Sequence, residues 1–355
     1  MAATTASSGS SGGPGTSGAV AGTPTPATAP DGRRKDLPDG PSQDGGRPSG
    51  RGTGGRRARR GDRLSRQTGS GWLFSAPFLA LFATFMAFPI LATLTMSFTD
   101  FGLRNVTDPL SAEFVGLANY TELFGDEKFL TSLFNTIYFV ALGVPLTVGT
   151  GLGAAVLLNS GIDRMRTFFR VGFYAPVVTS IVAVAVVWRF VLDPVDGLIA
   201  GLAEEIGLQG PDFLGSSTLA MPSLIVMAAW RNMGTAMVLF LAGLQSIPIE
   251  VREASRIDGA GLWQEFRRIT VPLLRPTMLY VSVMTTISFL NVFEEPFVMT
   301  QGGPNDSTLT VSLHMYKEGF NFFHMGYASS MAYVLFTVIL AVTLLQLRLL
   351  KDRTT

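Results

Sequence analysis

Residues 67–99 and 129–162 contain no Asp, Glu, Lys or Arg. A charge-free apolar run of about 20 residues is what a helix needs to cross the hydrocarbon core of a bilayer. Such runs place spans at about 72–97, 133–158, 171–192, within 217–246, 274–293 and 326–348. Arg189 interrupts the third near its end, and Arg231 sits inside the fourth. Barrel strands are a poor alternative, because they alternate apolar and polar over about ten residues and these runs do not. Only 15% of the chain is charged, against roughly 25% in an ordinary soluble domain. The expected class is an all-α membrane protein with six transmembrane helices.

The connecting segments sort by sign. Those after spans 2, 4 and 6 hold eleven Lys/Arg, and those after spans 1, 3 and 5 hold only Arg104, Lys128 and Lys317 against fifteen acidic residues. Basic residues mark the cytoplasmic side, so both termini are expected inside. Residues 1–69 carry eleven Lys/Arg and five Asp/Glu among Gly, Ser, Pro, Thr and Ala. With almost no large apolar side chain, such a segment cannot offset its ordering entropy, and it reads as a disordered basic cytoplasmic tail. Its Arg51–Arg66 cluster precedes a span, which makes it an orientation signal and a contact for anionic membrane lipids rather than a nucleic-acid site.

Composition removes several chemistries. There is no cysteine, hence no disulfide framework and no thiol nucleophile. Two histidines, His314 and His324, leave little for a metal site. No G-x-x-x-x-G-K-[ST] occurs, so this chain holds no ATP in a P-loop. Every Asp and Glu falls outside the spans, with Glu294 and Glu295 at an outer edge, which argues against ion-coupled transport. Segment 294–325 reads as a structured outer loop.

The long inner loop, residues 247–272, is the informative one. Pro248 suits the first turn of a helix, and Gly259 or Gly261 suits its end. Ala254 and Ile257 share one helical face, as do Leu262, Phe266 and Ile269. The pattern predicts a short helix, a glycine turn and a second short helix feeding span 5, with Glu250, Arg252, Glu253 and Arg256 on the exposed side. By physics alone this is an amphipathic surface element, equally an interfacial anchor or a docking element.

Glu253-Ala254-Ser255-x-x-Asp258-Gly259-Ala260, followed by Phe266, Ile269 and Pro272, resembles the EAA motif of ABC importer permeases, with Ser255 where Ala is commonest. Leu241–Pro248 before it and Thr300-Gln301-Gly302-Gly303-Pro304 after span 5 make the chain similar to the carbohydrate-type, MalF-like permeases. The resemblance implies a MetI/MalF-like permease fold over residues 70–355, in a bacterial cell membrane. It also implies an ATPase-docking coupling helix: Glu253 meets the motor, Ala254 allows close approach, Gly259 makes the turn and Asp258 caps the second helix. The implied partners are a second, MalG-like permease, an ABC ATPase dimer carrying the ATP and Mg, and an extracytoplasmic solute-binding protein. The chain itself is then no enzyme and has no cofactor. The implied cargo is a sugar or oligosaccharide, with glycerol phosphate or a polyol as the alternative solute and a non-transporting scaffold or receptor as the alternative class.

Groups suited to a sugar occur mid-span at Trp230, Arg231, Asn232 and Gly234 in span 4 and at Thr285, Ser288, Phe289 and Asn291 in span 5. The same resemblance implies a solute path along Trp230, Met233 and Gly234 with Thr285, Ser288 and Phe289, and Arg231 stands either in that path or at the interface with the partner permease. An arginine at mid-membrane costs about 2.5–3.5 kcal/mol on insertion scales, so Arg231 must meet water, a carbonyl or the partner permease.

Overall fold

The computed structural model describes residues 74–159, 166–207 and 210–351. The predicted tail, residues 1–69, lies outside them. Among the described residues the structure is helical without named strands, and Thr99 and Phe114 form one isolated antiparallel bridge. Four unbroken helices are long and apolar enough to cross a bilayer: α1 (Phe74–Met96), α3 (Glu127–Asn159), α7 (Ala220–Gln245) and α13 (Met325–Lys351). The short α2 (Ala118–Gly125) leads into α3.

The third predicted span is part of a bent pair, and the fifth, α10, is bent against the loop helix that feeds it. Helices α4 (Arg166–Val178) and α5 (Ile181–Val191) meet at 100°. A single span over 171–192 was the expectation, with Pro176 a candidate kink, and the break has a local cause. Pro176 removes a backbone donor near the end of α4. Thr179 then bonds back to the Ala175 carbonyl at 2.9 Å, and Ser180 takes an extended ψ of 127° as the N-cap of α5. After α5 comes α6 (Leu198–Glu205). On the other side of α7 lie α8 (Ile249–Ile257) and α9 (Leu262–Leu273), and α9 meets α10 (Arg275–Leu290) at 68°. Two short helices, α11 (Glu294–Met299) and α12 (Val311–Tyr316), fill the stretch before α13.

Helices α3 and α7 pack along their length and form the centre, with α10 against α3, α4 against α7 and α13 against α10. Close approach is set by small residues: a Cβ on Gly151 would lie 2.5 Å from the Ala236 Cβ. Such small-residue crossings suit helices in lipid, where van der Waals packing replaces hydrophobic exclusion. Phe139 and Phe289 pack edge to face at 5.2 Å in the core nearer the acidic segments. Leu158, Met237, Phe240 and Leu274 fill the core nearer the basic ones. The apolar window of α1 is wholly unburied. This helix rests on the rest of the chain through contacts such as the Tyr333 hydroxyl donating to the Ile90 carbonyl.

Candidate functional site

The loop after α7 folds as its sequence predicts, as a helical hairpin. Helix α8 ends in a Schellman turn: the Ala260 N–H donates to the Ser255 carbonyl at 3.0 Å, with Gly259 at φ +79°. Gly261 then occupies the N-cap of α9, and no side chain caps that helix. The capping role expected of Asp258 is therefore not realised, because the turn places a residue without a side chain at the cap. Asp258 instead closes α8, its N–H donating to the Ala254 carbonyl at 3.0 Å.

An ion pair clips the two helices together. Arg252 Nε donates to Glu265 Oε1 at 3.1 Å, and Glu265 is buried. Arg252 was expected on the exposed side; it turns inward because the bend brings the buried carboxylate of α9 beneath α8. Ser255, also buried, bonds to the Arg252 carbonyl at 2.8 Å. Glu250 and Glu253 stand exposed with Ala254, while the Arg256 side chain lies outside the described residues. Around them is an apolar surface that this chain leaves uncovered: Ile257 is 86% exposed, Leu262 80% and Trp263 71%.

The predicted path residues divide between opposite faces of α7. Trp230 lies against Trp188 of α5 at 5.7 Å, beside a cavity of about 320 Å³ in the angle between α4 and α5. Gly234 faces the same way and is taken up by packing, since a Cβ there would collide with the Phe173 carbonyl oxygen of α4. Met233 is half-buried. The other face meets α10 across a groove of about 190 Å³ lined by Asn232, Thr235, Thr285 and Ser288 among apolar neighbours. Phe289 points away from this groove into the Phe139 contact and is buried. Asn232 and Thr235, three apart on one helical face, complete the polar cluster from the α7 side; Asn232 was among the polar groups read from the sequence and Thr235 was not.

Arg231 is half-buried, and its Nε has no hydrogen-bond partner among the described residues. Its charge acts on Glu295. That carboxylate was expected at an outer edge but is buried, because α11 folds back against α5 and α7. Sequence reading also missed what anchors the stretch beyond α11. Asn135, buried in α3, donates to the Asp306 and Leu309 carbonyls at 2.8 and 3.0 Å. Thr136 accepts the Val311 N–H at 3.0 Å, and Thr310 donates to the Val292 carbonyl at 2.9 Å. His314 is buried beside Glu318 (Nε2 to Oε1 3.5 Å), and burial holds its imidazole pKa below the usual value against the pull of the Glu318 and Asp126 charges.

Comparison with known proteins agrees with this architecture. Residues 147–355 match the family described as binding-protein-dependent transport system inner membrane component. A probable ABC transporter permease, YesP of Bacillus subtilis, is 38% identical over 281 residues, covering 78% of this chain and 88% of that one. The arabinooligosaccharides transport system permease AraP of the same organism is 32% identical over 280 residues, covering 78% and 87%. In fold the chain is similar to a chain of a bacterial alginate ABC transporter crystallised with an alginate pentasaccharide-bound periplasmic protein (TM-score 0.72, 24% identity, 82% of this chain and 99% of that one). The helical hairpin and apolar spans thus belong to a chain that is a member of the binding-protein-dependent transport system inner membrane components, the multi-pass permeases of ABC transporters.

Proposed function

We propose that the chain is one of two permeases of an ATP-driven importer for a sugar or oligosaccharide, with six spans and both termini in the cytoplasm. The observation that carries this reading is the hairpin of α8 and α9: a rigid element clipped by Arg252–Glu265 whose apolar surface is exposed. An apolar patch rimmed by Glu250 and Glu253 is what a protein partner buries. Glu253, Ala254, Ser255, Asp258, Gly259 and Ala260 form the docking element for an ABC ATPase dimer, which carries the ATP and Mg. The second permease covers the unburied face of α1 and shares the solute path. A solute-binding protein delivers cargo at the acidic end.

Asn232, Thr235, Thr285 and Ser288 supply the hydrogen-bonding groups that a polyhydroxylated solute needs. A sugar is supported by that hydroxyl-rich groove and by the arabinooligosaccharide system of the AraP relative. Trp230, Arg231 and Met233 lie off this groove. The test is to replace Glu253 by Lys and, separately, Ser288 by Phe. The first is expected to lose ATPase co-purification with insertion intact. The second is expected to keep the complex and lose uptake. A Glu253→Lys chain that still recovers the ATPase and imports normally would refute the docking assignment.

A further inference from the structure

A cavity of about 560 Å³ lies at the acidic end, where α1 and α13 meet the joint between α10 and α11. Phe293, Tyr316 and Phe320 stand in its wall among methionine and alanine side chains, and Phe297 backs Phe293. Phe293 stacks on Phe297 at 5.1 Å and meets Tyr316 at 5.2 Å, and Tyr316 meets Phe320 at 5.3 Å. Polar groups face it from four elements: Thr93 of α1, Asn291 after α10, Ser312 of α12 and Ser329 of α13. Thr93 and Ser329 spend their protons on helix carbonyls, at 2.8 and 2.7 Å, and keep their oxygen lone pairs as acceptors. A volume in the range of about 300–1,000 Å³, mostly apolar and aromatic with a few polar groups, is the composition of a small-molecule site.

Two further features bear on what it takes. Thr285 and Ser288 of α10 line the groove and Asn291, the C-cap of that helix, lines this cavity, so the two lie in succession along one element. The wall is also held in place. A π-helical turn over Lys317–Asn321 carries Gly319 and Phe320 into the cavity. It is tied down by Lys317 Nζ donating to the Gln301 carbonyl at 2.8 Å and by Glu318 lying 2.9 Å from His324 Nδ1.

We propose that this cavity is a second saccharide site, which receives one or two sugar rings before they reach the groove between α7 and α10. Aromatic faces cover the C–H face of a ring, whose hydrogens meet the negative π cloud, and the hydroxyl and amide groups bond its edge. The inference rests on the reading of the chain as a sugar permease.

The chain has no cysteine, so single cysteines report without background from it. Ser312→Cys and Ser329→Cys are near-isosteric, and each is made in the complete importer in cells. The anionic reagent 2-sulfonatoethyl methanethiosulfonate, which needs a hydrated thiolate, is expected to modify both about tenfold faster than Leu340→Cys on the exposed apolar face of α13. Arabinotriose, lactose or maltotriose is expected to slow both reactions about threefold or more. Labelling no faster than at Leu340→Cys would mean a lipid-filled cavity and overturn the proposal. So would fast labelling that none of these sugars slows. A parallel Ser288→Cys chain separates the two readings: if it is sugar-protected while Ser312→Cys and Ser329→Cys are not, the second site falls and the sugar permease stands. If Ser288→Cys is neither labelled nor protected, it is the permease reading that fails.

Discussion

The stretch from α11 to the start of α13 and the hairpin of α8 and α9 are both short helices joined by turns, and they are held by opposite means. In the first, polar groups are buried and paired within the chain: Thr308 and Thr310 are fully buried, and the backbone around Asp306–Val311 is bonded by Asn135 and Thr136 of α3. In the second, one ion pair holds two helices, and their large apolar side chains stand exposed. The first region is completed by its own chain. The second leaves Ile257, Leu262 and Trp263 uncovered by its own chain, and under the proposed docking role those side chains answer to a partner's surface rather than to the stability of this chain.

The contrast breaks most readily at Asn135. Asn135→Leu removes the donor from two buried carbonyls, at about 1–3 kcal/mol each. Hydrogen exchange over residues 300–311 is expected to rise sharply while ATPase co-purification persists; unchanged exchange would mean that the anchor is redundant. Arg252→Ala, at a guanidinium that is a third exposed, is expected to cost about 1 kcal/mol once solvent screening is allowed for. Its effect is confined to exchange in 249–266, with partial recovery in the swap Arg252→Glu, Glu265→Arg. Gly259→Ala meets no neighbouring atom, so only left-handed strain is paid, about 1 kcal/mol, read as faster exchange at Asp258 and Ala260.

A subtler probe is acidity. Burial depresses the His314 pKa below 6.5, so the folded state binds fewer protons than the unfolded one. The contribution of His314 is complete above about pH 6.5 and is lost as pH falls through the folded value. Exchange near α12 is expected to quicken on acidification, and His314→Gln is expected to abolish that slope. Smallest for the chain alone are Ile257→Ser and Trp263→Ser, within about 0.5 kcal/mol, because neither side chain is buried. Both are nonetheless expected to weaken ATPase co-purification. A stability loss instead would place them in an interior of this chain.

The coupling hairpin was legible in the sequence because its determinants are local: Pro248, the apolar spacing and Gly259 act within a dozen residues. The break in the third span was legible in kind, since Pro176, Thr179 and Ser180 mark it, but an apolar run conceals a bend. Asn135 could not be found that way, because its partners lie 171 and 174 positions along the chain and a lone asparagine in an apolar span carries no mark of what it bonds. The path residues in span 4 were grouped as one stretch by resemblance. Helical geometry sets Trp230 and Asn232 roughly 200° apart around the axis, so adjacent candidates could not all face one groove. Glu295 does lie beyond the end of α10, but its burial was not legible, because a six-residue helix that folds back leaves no periodicity to read.

The crossing of Gly151 and Ala236 has a mechanical consequence. Helix α7 is 26 residues long, about 39 Å, and it leads directly into α8. Ala236 stands about 14 Å from the Gln245 end and about 24 Å from the Ala220 end. If that tight crossing serves as a fulcrum, the rod is an unequal lever: about 1 Å of push at the hairpin becomes about 1.7 Å of swing at the far end. A bulkier side chain at position 151 would seize the pivot while leaving both arms whole.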